Sequence, residues 1–410
     1  MIIIDGAHLK WAYLGTNLIA VAMDGNNGIL PLAYGVGAGE TADHWTWFLG
    51  NLRDSIDSIG GIENLTIVSD RAASIAAGIS TTFPDAYHAL CCRHLLMNLK
   101  TQSGRVKFFE WHYWKMCKAY RASDFDHHWR VISRNLPPCA ETLTNLGRER
   151  WSRCYATRRR YAYMTSNSAE SLNALSKHAR KLPITMLLEF FRASVQQWYF
   201  KHRATGAELK TSLTPYADRK IGKRVNKSLR WQVNPVTNRI LEVIDGNKDG
   251  IVNLDTRTCT CRQWELSGLP CGHLIAVARK FKQDDVSCYA EQYFTAEAYR
   301  AAYEEPILPM GHPSEWIDPG DLQTVLPPVL PKRQAGRPPG RARIPSRGEE
   351  KQSSSRKCSR CKQTGHSRAT CMASEDRTEQ PSQSSRSKWT EKVGTSQSSQ
   401  YFPTVNLSRP

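Results

Sequence analysis

The chain has 410 residues, enough for two or three domains and a sizeable core, with 56 Lys and Arg against 38 Asp and Glu and a formal charge of +18. From Pro331 onward 17 basic and 6 acidic residues contribute +11 of that charge; such a tail points to a polyanion partner, most simply nucleic acid, and is equally compatible with a solubilising segment. Twelve cysteines clustered beside His argue for metal sites over a secreted disulfide framework, and neither a basic leader nor an apolar run near the roughly 20 residues of a membrane span is present, so a soluble intracellular protein without a membrane partner is expected.

Ile2–Ile4 and Leu65–Val68 are short apolar runs that read as buried strands, leading to Asp5 and Asp70. Between them, Leu18–Met23 and Ile29–Val36 read as strands joined by the turn Asp24-Gly25-Asn26-Asn27-Gly28. An amphipathic helix over His44–Ile56 follows, with Trp45, Phe48, Leu49 and Leu52 near helical spacing. Asp5 alone, before Gly6, reads as a turn residue. The order of three antiparallel strands, a helix and a further strand is instead that of a ribonuclease-H-like core, whose nucleases and transposases hold metals at these strand ends. Two carboxylates at one sheet edge repel unless a cation lies between them, and Mg²⁺, which takes few protein carboxylates, suits the pair.

DGAHLK, GNNGILPLAYG, GETADHWTWFL, SDR and CCRHL, in that order, resemble the transposase domain of plant Mutator-like elements over about residues 1–201. Trp11-Ala12 stands where that family usually carries Gly-Lys, and Ala7 where Thr is usual. The resemblance implies an α/β fold: a ribonuclease-H-like transposase core of the type with two Asp and one Glu, an all-helical insertion over about 105–163, and then small zinc modules. Met1 sits directly on the first expected strand, where full-length relatives carry a preceding DNA-binding region. The expectation is that this region is lost or missing from an incomplete gene model.

Residues 72–83 predict a helix ended by Pro84-Asp85. Ala86–Cys92 then reads as a strand running into a helix through His94–Leu99. Cys91 and His94 match a Cys/His pair of the family. Two ligands do not close a zinc site, so the pair reads as structural packing that orients the site. Residues 107–160 are rich in Trp, Tyr, His and Arg at helical spacing, and His127-His128 reads as a solvated pair. Arg158, Arg159 and Arg160, interleaved with Tyr155, Tyr161 and Tyr163, could meet phosphates and stack on bases, or form a plain charged surface.

Thr165 or Ser166 is a fitting N-cap for a helix carrying Glu170 in its first turn. Leu172, Leu175, Ile184, Leu187, Leu188 and Phe191 continue an apolar helical face broken at Pro183. On the residues alone Glu170 is a capping acid. The motif TSN-x-AES-x-N of the family implies that it is the third metal ligand; Glu40 and Glu149 are lesser candidates. Asp5, Asp70 and Glu170 would then hold Mg²⁺ or Mn²⁺ for phosphoryl transfer on DNA.

A basic connector with Arg219, Lys220, Lys223, Arg224, Lys227 and Arg230 spans 202–245. Cys259, Cys261, Cys271 and His273, spaced C-x-C-x9-C-x-H, form a full tetrahedral set for structural Zn²⁺ and resemble the SWIM-type zinc finger over about 246–285, with a short helix after His273. A Pro-rich linker is expected within 286–331. Residues 332–347 hold Arg337 and Arg341 in GRPPGRAR, which resembles an AT-hook and reads equally as a nuclear-import signal. Cys358, Cys361, His366 and Cys371 resemble a zinc knuckle over 356–372, a second structural Zn²⁺ site suited to single-stranded nucleic acid. The Ser/Gln-rich remainder, 373–410, is expected to be disordered. Cys117, Cys139, Cys154 and Cys288 match no ligand set and read as buried thiols.

These readings converge on a nuclear, transposase-derived protein bound to DNA, able to form a homo-oligomer. It is expected to be either a Mg²⁺-dependent transposase that cuts and joins DNA or a domesticated, non-cutting transcriptional regulator. RNA binding through the knuckle alone is a third reading.

Overall fold

The computed structural model describes residues 1–10, 15–57 and 64–315, together with 358, 359, 361, 363 and 371. It divides into two units, Met1–Glu350 and Lys351–Pro410. Trp11-Ala12, Arg337, Arg341, His366 and the Ser/Gln-rich tail lie outside the described residues.

The first sheet follows from β-branched apolar runs. It contains β1 (Ile2–His8), β2 (Thr16–Met23), β3 (Ile29–Gly37), β4 (Thr66–Ser69) and β5 (Tyr87–Leu90), ordered β3-β2-β1-β4-β5. β1–β2 and β2–β3 pair antiparallel, β1–β4 and β4–β5 parallel, giving a mixed α/β sheet. Ile3, Ile4, Leu18, Ile19 and Val68 have no exposed surface. Each such side chain contributes roughly 1.5–3 kcal/mol of burial as an upper figure.

The β2–β3 turn is set by Asp24. Its Oδ1 accepts from the backbone N–H of Asn26 at 2.9 Å and of Gly28 at 2.6 Å, and Asn27 takes the left-handed φ of 64° that such a turn needs.

Alternation along the strands divides the sheet into two faces. Ile2, Ile4, Leu18, Ala20 and Ile67 face α1 (Ala42–Asp57) and α2 (Ala73–Thr82), packing on Trp45, Phe48, Leu49, Ile75 and Ile79. Ile3, Ile19, Val21, Val68 and Ala89 face the other way, where Ala169, Leu172, Leu187 and Phe191 cover them.

β5 runs into α3 (Cys92–Gln102), and no strand interrupts α4 (Val106–Cys117), α5 (Ala122–Asn135), α6 (Pro137–Asn145) and α7 (Arg148–Trp151). Pro137-Pro138 opens α6, where a missing N–H costs nothing. These helices share a core around Tyr113, Met116, Phe125, Leu143 and Trp151. α8 (Asn167–Leu175) and α9 (Ile184–Glu208) then return to the sheet. Leu172, Leu187 and Phe191 are buried, whereas Leu175, Ile184 and Leu188 are exposed. These helices therefore bury a narrower stripe than the apolar spacing predicts.

The basic connector 202–245 is built from regular elements. It holds the end of α9, then α10 (Pro215–Ser228), β6 (Gln232–Pro235) and β7 (Ile240–Ile244). β6 and β7 join β8 (Gly250–Asn253) and β9 (Thr258–Cys259) in a second, antiparallel sheet of order β6-β7-β8-β9. α11 (Gln263–Ser267) and α12 (Gly272–Lys280) follow, the latter being the short helix expected after His273.

The segment after it departs from the linker reading. Phe294, Tyr299 and Tyr303 are buried, the last two on and just beyond α13 (Ala296–Ala301). Tyr303 Oη donates to Asp24 Oδ2 at 2.7 Å, and Tyr293 Oη to the Asp24 carbonyl at 2.7 Å. A Cβ on Gly25 would lie 2.2 Å from the Tyr293 carbonyl oxygen, so the turn accepts no side chain there. The first hairpin is thus clasped by residues nearly 280 positions later. No helix among the described residues is long and apolar enough to cross a membrane.

Candidate metal centres at the sheet edge and in the zinc module

The register of β1 on β4 pairs Ile2 with Ile67 and Ile3 with Val68. Carried two residues further, the same offset sets Asp5 level with Asp70. Both follow, by two residues, a side chain on the face covered by α8 (Ile3 and Val68), so both turn toward the helix that carries Glu170.

Asp5 lies within β1, and Asp70 just beyond β4, where its Oδ1 accepts from the Ala72 N–H at 2.9 Å at the start of α2. The sequence places these acids at an open rim; the structure covers them, leaving Asp5 7% and Asp70 9% exposed. Burial is the main reason that the Asp5 carboxyl is pushed up to about 7, with Asp70 and Glu170 raising it further and Asn173 and His94 opposing.

Asn173 Nδ2 donates to Asp5 Oδ2 at 2.8 Å, and its own Oδ1 accepts from Asn17 Nδ2 at 3.4 Å. Asn17 Oδ1 is buried without a hydrogen-bond partner. Arg180 donates to the His8 and Asn173 carbonyls, fixing the loop after α8 against β1. A desolvated carboxylate, two neighbouring acids and an orphaned amide oxygen supply hard oxygen donors, with His94 as a cationic group beside them. That chemistry fits a divalent cation such as Mg²⁺.

Glu170 is drawn to a second cluster. Its Oε1 lies 3.4 Å from His94 Nε2 and accepts from Ser166 Oγ at 3.2 Å. Ser166 therefore uses its hydroxyl four residues ahead and caps no backbone N–H. The Ser166 N–H donates instead to Cys91 Sγ at 3.2 Å. The ligand atoms of Cys91, His94 and Glu170 lie within 4.8 Å of one another, a closure that Asp5, Asp70 and Glu170 do not reach among the described residues. The Cys91 thiol against the ring, with the charges of Glu170 and Asp5, pushes His94 up to about 9 although burial opposes it. Among the described residues, neither Glu40 nor Glu149 belongs to such a cluster.

The second centre is closed. Cys259, Cys261, Cys271 and His273 are all buried, with ligand atoms within 4.8 Å of one another. Cys259 ends the second sheet, while Cys271 and His273 start α12, where Cys271 Sγ also accepts the Leu274 N–H at 3.4 Å. Burial and the two neighbouring thiols drive the Cys271 thiol well above its ordinary range. Three thiols and an imidazole packed this closely form a zinc donor set. His273 Nδ1 faces Cys259 Sγ at 3.5 Å, and its Nε2 faces Asp245 Oδ2 at 3.6 Å. Trp231 stacks on the ring at 5.0 Å. A Cβ on Gly250 would lie 2.8 Å from the imidazole, so glycine is required beside it.

This module is docked on the helices before it. Arg262, at a left-handed φ of 57°, donates to the Cys154 carbonyl at 2.8 Å, and Arg121 to the Lys248 and Asp249 carbonyls. Lys248 and Asp124 form an ion pair. In the second unit, Cys358, Cys361 and Cys371 approach within 4.8 Å of one another, and the Cys358 N–H donates to the Gln363 carbonyl at 2.7 Å.

One of the tyrosine-flanked arginines needs correction. Arg160 is 1% exposed and donates to the Arg150 and Leu90 carbonyls at 3.0 and 2.9 Å, so it cannot meet a nucleic acid. Arg159 pairs with Glu291, and Arg158 with Asn64 Oδ1. Cys117, Cys139 and Cys154 are buried as expected, whereas Cys288 is exposed.

Three residues of these centres escaped the sequence reading. Asn173 lies three residues after Glu170, hence on the same helix face, a spacing that could have revealed it. Asp245 and Trp231 carry no local signal, since only the second sheet brings them to His273.

No curated protein matches the chain. Residues 1–98 match the family model of the MULE transposase domain, and residues 246–282 that of the SWIM zinc finger. The two matches cover the strand-borne acids Asp5 and Asp70 and all four ligands of the closed centre, and the chain therefore carries a MULE transposase domain followed by a SWIM zinc finger.

Proposed function

We propose that the first sheet is the core of a ribonuclease-H-like transposase, in which Asp5, Asp70 and Glu170 hold Mg²⁺ or Mn²⁺ for cleavage and strand transfer of DNA. The observation that carries this reading is the shared face of Asp5 and Asp70, where burial, with Asp70 and Glu170 nearby, pushes the Asp5 carboxyl up to about 7. When bound, the metal supplies an activated oxygen nucleophile and stabilises the leaving oxygen.

The chain's own residues do the positioning. Asn173 fixes one Asp5 oxygen, and the Ala72 N–H fixes one Asp70 oxygen. SWIM zinc then stiffens the body on which this edge rests. DNA is the expected partner, with Arg337 and Arg341 and the zinc knuckle, its His366 included, as further contacts, the knuckle for single strands. We assign the protein to the nucleus and retain a homo-oligomer as the working state.

A second reading has its own support. Glu170 is engaged by His94 and Ser166. A centre whose third acid is held by a neighbouring Cys/His pair suits a domesticated, non-cutting regulator of transcription.

Nicking and strand-transfer assays on DNA with Mg²⁺, comparing wild type with Asp70→Ala, decide between the two. Magnesium-dependent products from wild type alone support the enzyme. Equal product from both proteins, or DNA binding without product from either, removes it.

A further inference from the structure

A cleft of about 260 Å³ is lined by Arg93, Trp114, Lys118, Met164, Thr165 and Asn167, with Ala162 at its edge. No carboxylate lines it. Arg93 and Lys118 are exposed, and among the described residues neither has an ion-pair partner; Lys118 lies over the Trp114 ring at 4.8 Å. Arg93 acts on Glu110, which is already paired with Lys100 at 2.6 Å.

The position of the cleft is as telling as its charge. Arg93 directly precedes His94 on α3. Thr165 and Asn167 flank Ser166, whose hydroxyl bonds Glu170 and whose N–H bonds Cys91. Residues 162–167 therefore contribute both to the lining of the cleft and, through Ser166, to the bonds that hold the acid cluster. Lysine and arginine with no acid beside them, a hydroxyl and an amide at a helix start, and an indole form a recess for a phosphate on a chain that continues past it.

We propose that this cleft seats a phosphodiester of a nucleic-acid strand next to the position held by the acids, with Arg93 and Lys118 as its cationic contacts. The proposal extends the reading of the sheet edge as a DNA-cutting centre, and its test does not require cutting. A labelled single-stranded oligonucleotide is titrated into the zinc-loaded full chain without magnesium, followed by anisotropy over a range of salt.

The variant R93A/K118A should lower the slope of log affinity against log salt by roughly two, about one for each phosphate no longer neutralised. Arg93→Lys with Lys118→Arg should restore affinity. The variant K107A/K115A removes equal charge from the outer face of α4 and should change binding less. A photoreactive phenylalanine derivative at Ala162 should crosslink to the bound strand, a readout independent of any folding defect in the alanine variants. An equal loss in both double variants, or no crosslink when the oligonucleotide is bound, overturns the proposal. A saturable ³¹P shift of inorganic phosphate that disappears in R93A/K118A assigns the cleft to a free phosphate and likewise overturns the strand reading. A specific loss of binding in a protein that never cuts DNA leaves the cleft standing and removes the enzyme.

Discussion

Replacing Arg160 separates a structural guanidinium from a nucleic-acid contact. The side chain is buried, and it donates at 3.0 Å to the Arg150 carbonyl and at 2.9 Å to the Leu90 carbonyl, tying the end of α7 to the end of β5. Each bond from a charged donor contributes roughly 1.5–3 kcal/mol, and each carbonyl left unpaired costs about 1–3 kcal/mol. Arg160→Leu also removes the cost of burying a charge, which offsets part of that loss. A net destabilisation of about 2–4 kcal/mol is therefore expected. Urea unfolding followed by tryptophan fluorescence should show a lower midpoint at an unchanged slope. At urea-free conditions where the variant is still folded, its DNA affinity should match wild type. A stability within about 0.5 kcal/mol of wild type together with a loss of DNA affinity would refute the burial argument, because a surface substitution behaves in that way.

Other outcomes follow from the same geometry. Asp245→Asn keeps the Oδ1 acceptor for the Asn247 and Lys248 N–H groups but turns an amide toward His273 Nε2. Zinc affinity, read by chelator competition, should fall about 10- to 100-fold; an unchanged affinity would show that Asp245 does not support the imidazole. His88 is lowered to about 4 from 6.5, by burial first and then by Arg150. The unfolded chain takes up that proton below 6.5 and the folded one only near 4, so this stability is complete above pH 6.5 and lost as pH falls toward 4, by at most about 3 kcal/mol. Asp5 tilts the profile the other way, since its raised value favours the folded state at the acid end. The measurement is therefore the difference between wild type and His88→Gln at pH 5 and 7.5, and a pH-independent difference would contradict the assignment. Tyr303→Phe should cost about 1–3 kcal/mol, because it leaves Asp24 Oδ2 buried without its donor; no change in thermal midpoint would mean that the clasp is not what holds residues 286–303.

Ile2–Ile4, Leu18–Met23 and Leu65–Val68 could be recognised as strands because a buried strand must be apolar along its length, and Ile29–Val36 because it follows a hairpin turn. The Asp24–Gly28 turn was visible because only small polar residues and glycine tolerate its backbone. Zinc ligation also leaves a local trace, since a strand end and a helix start can deliver four donors from fifteen residues. Arg160 and Glu170 show where such reading stops. An Arg between tyrosines looks the same whether it faces solvent or two carbonyls. A Glu in a first helical turn does not reveal whether it will meet Asp5 or His94.

The linear chain by itself determined the strand and helix types, the hairpin, the closed Cys/His set and the basic tail, because each depends on neighbours within a few residues. Only the tertiary structure decided that Asp5 and Asp70 are covered, that Asn173 completes their surroundings, that Asp245 and Trp231 brace His273, and that Tyr293 and Tyr303 clasp the first turn. Those contacts join residues tens to hundreds of positions apart, and burial, which sets their energies and their charges, is a property of the packed whole.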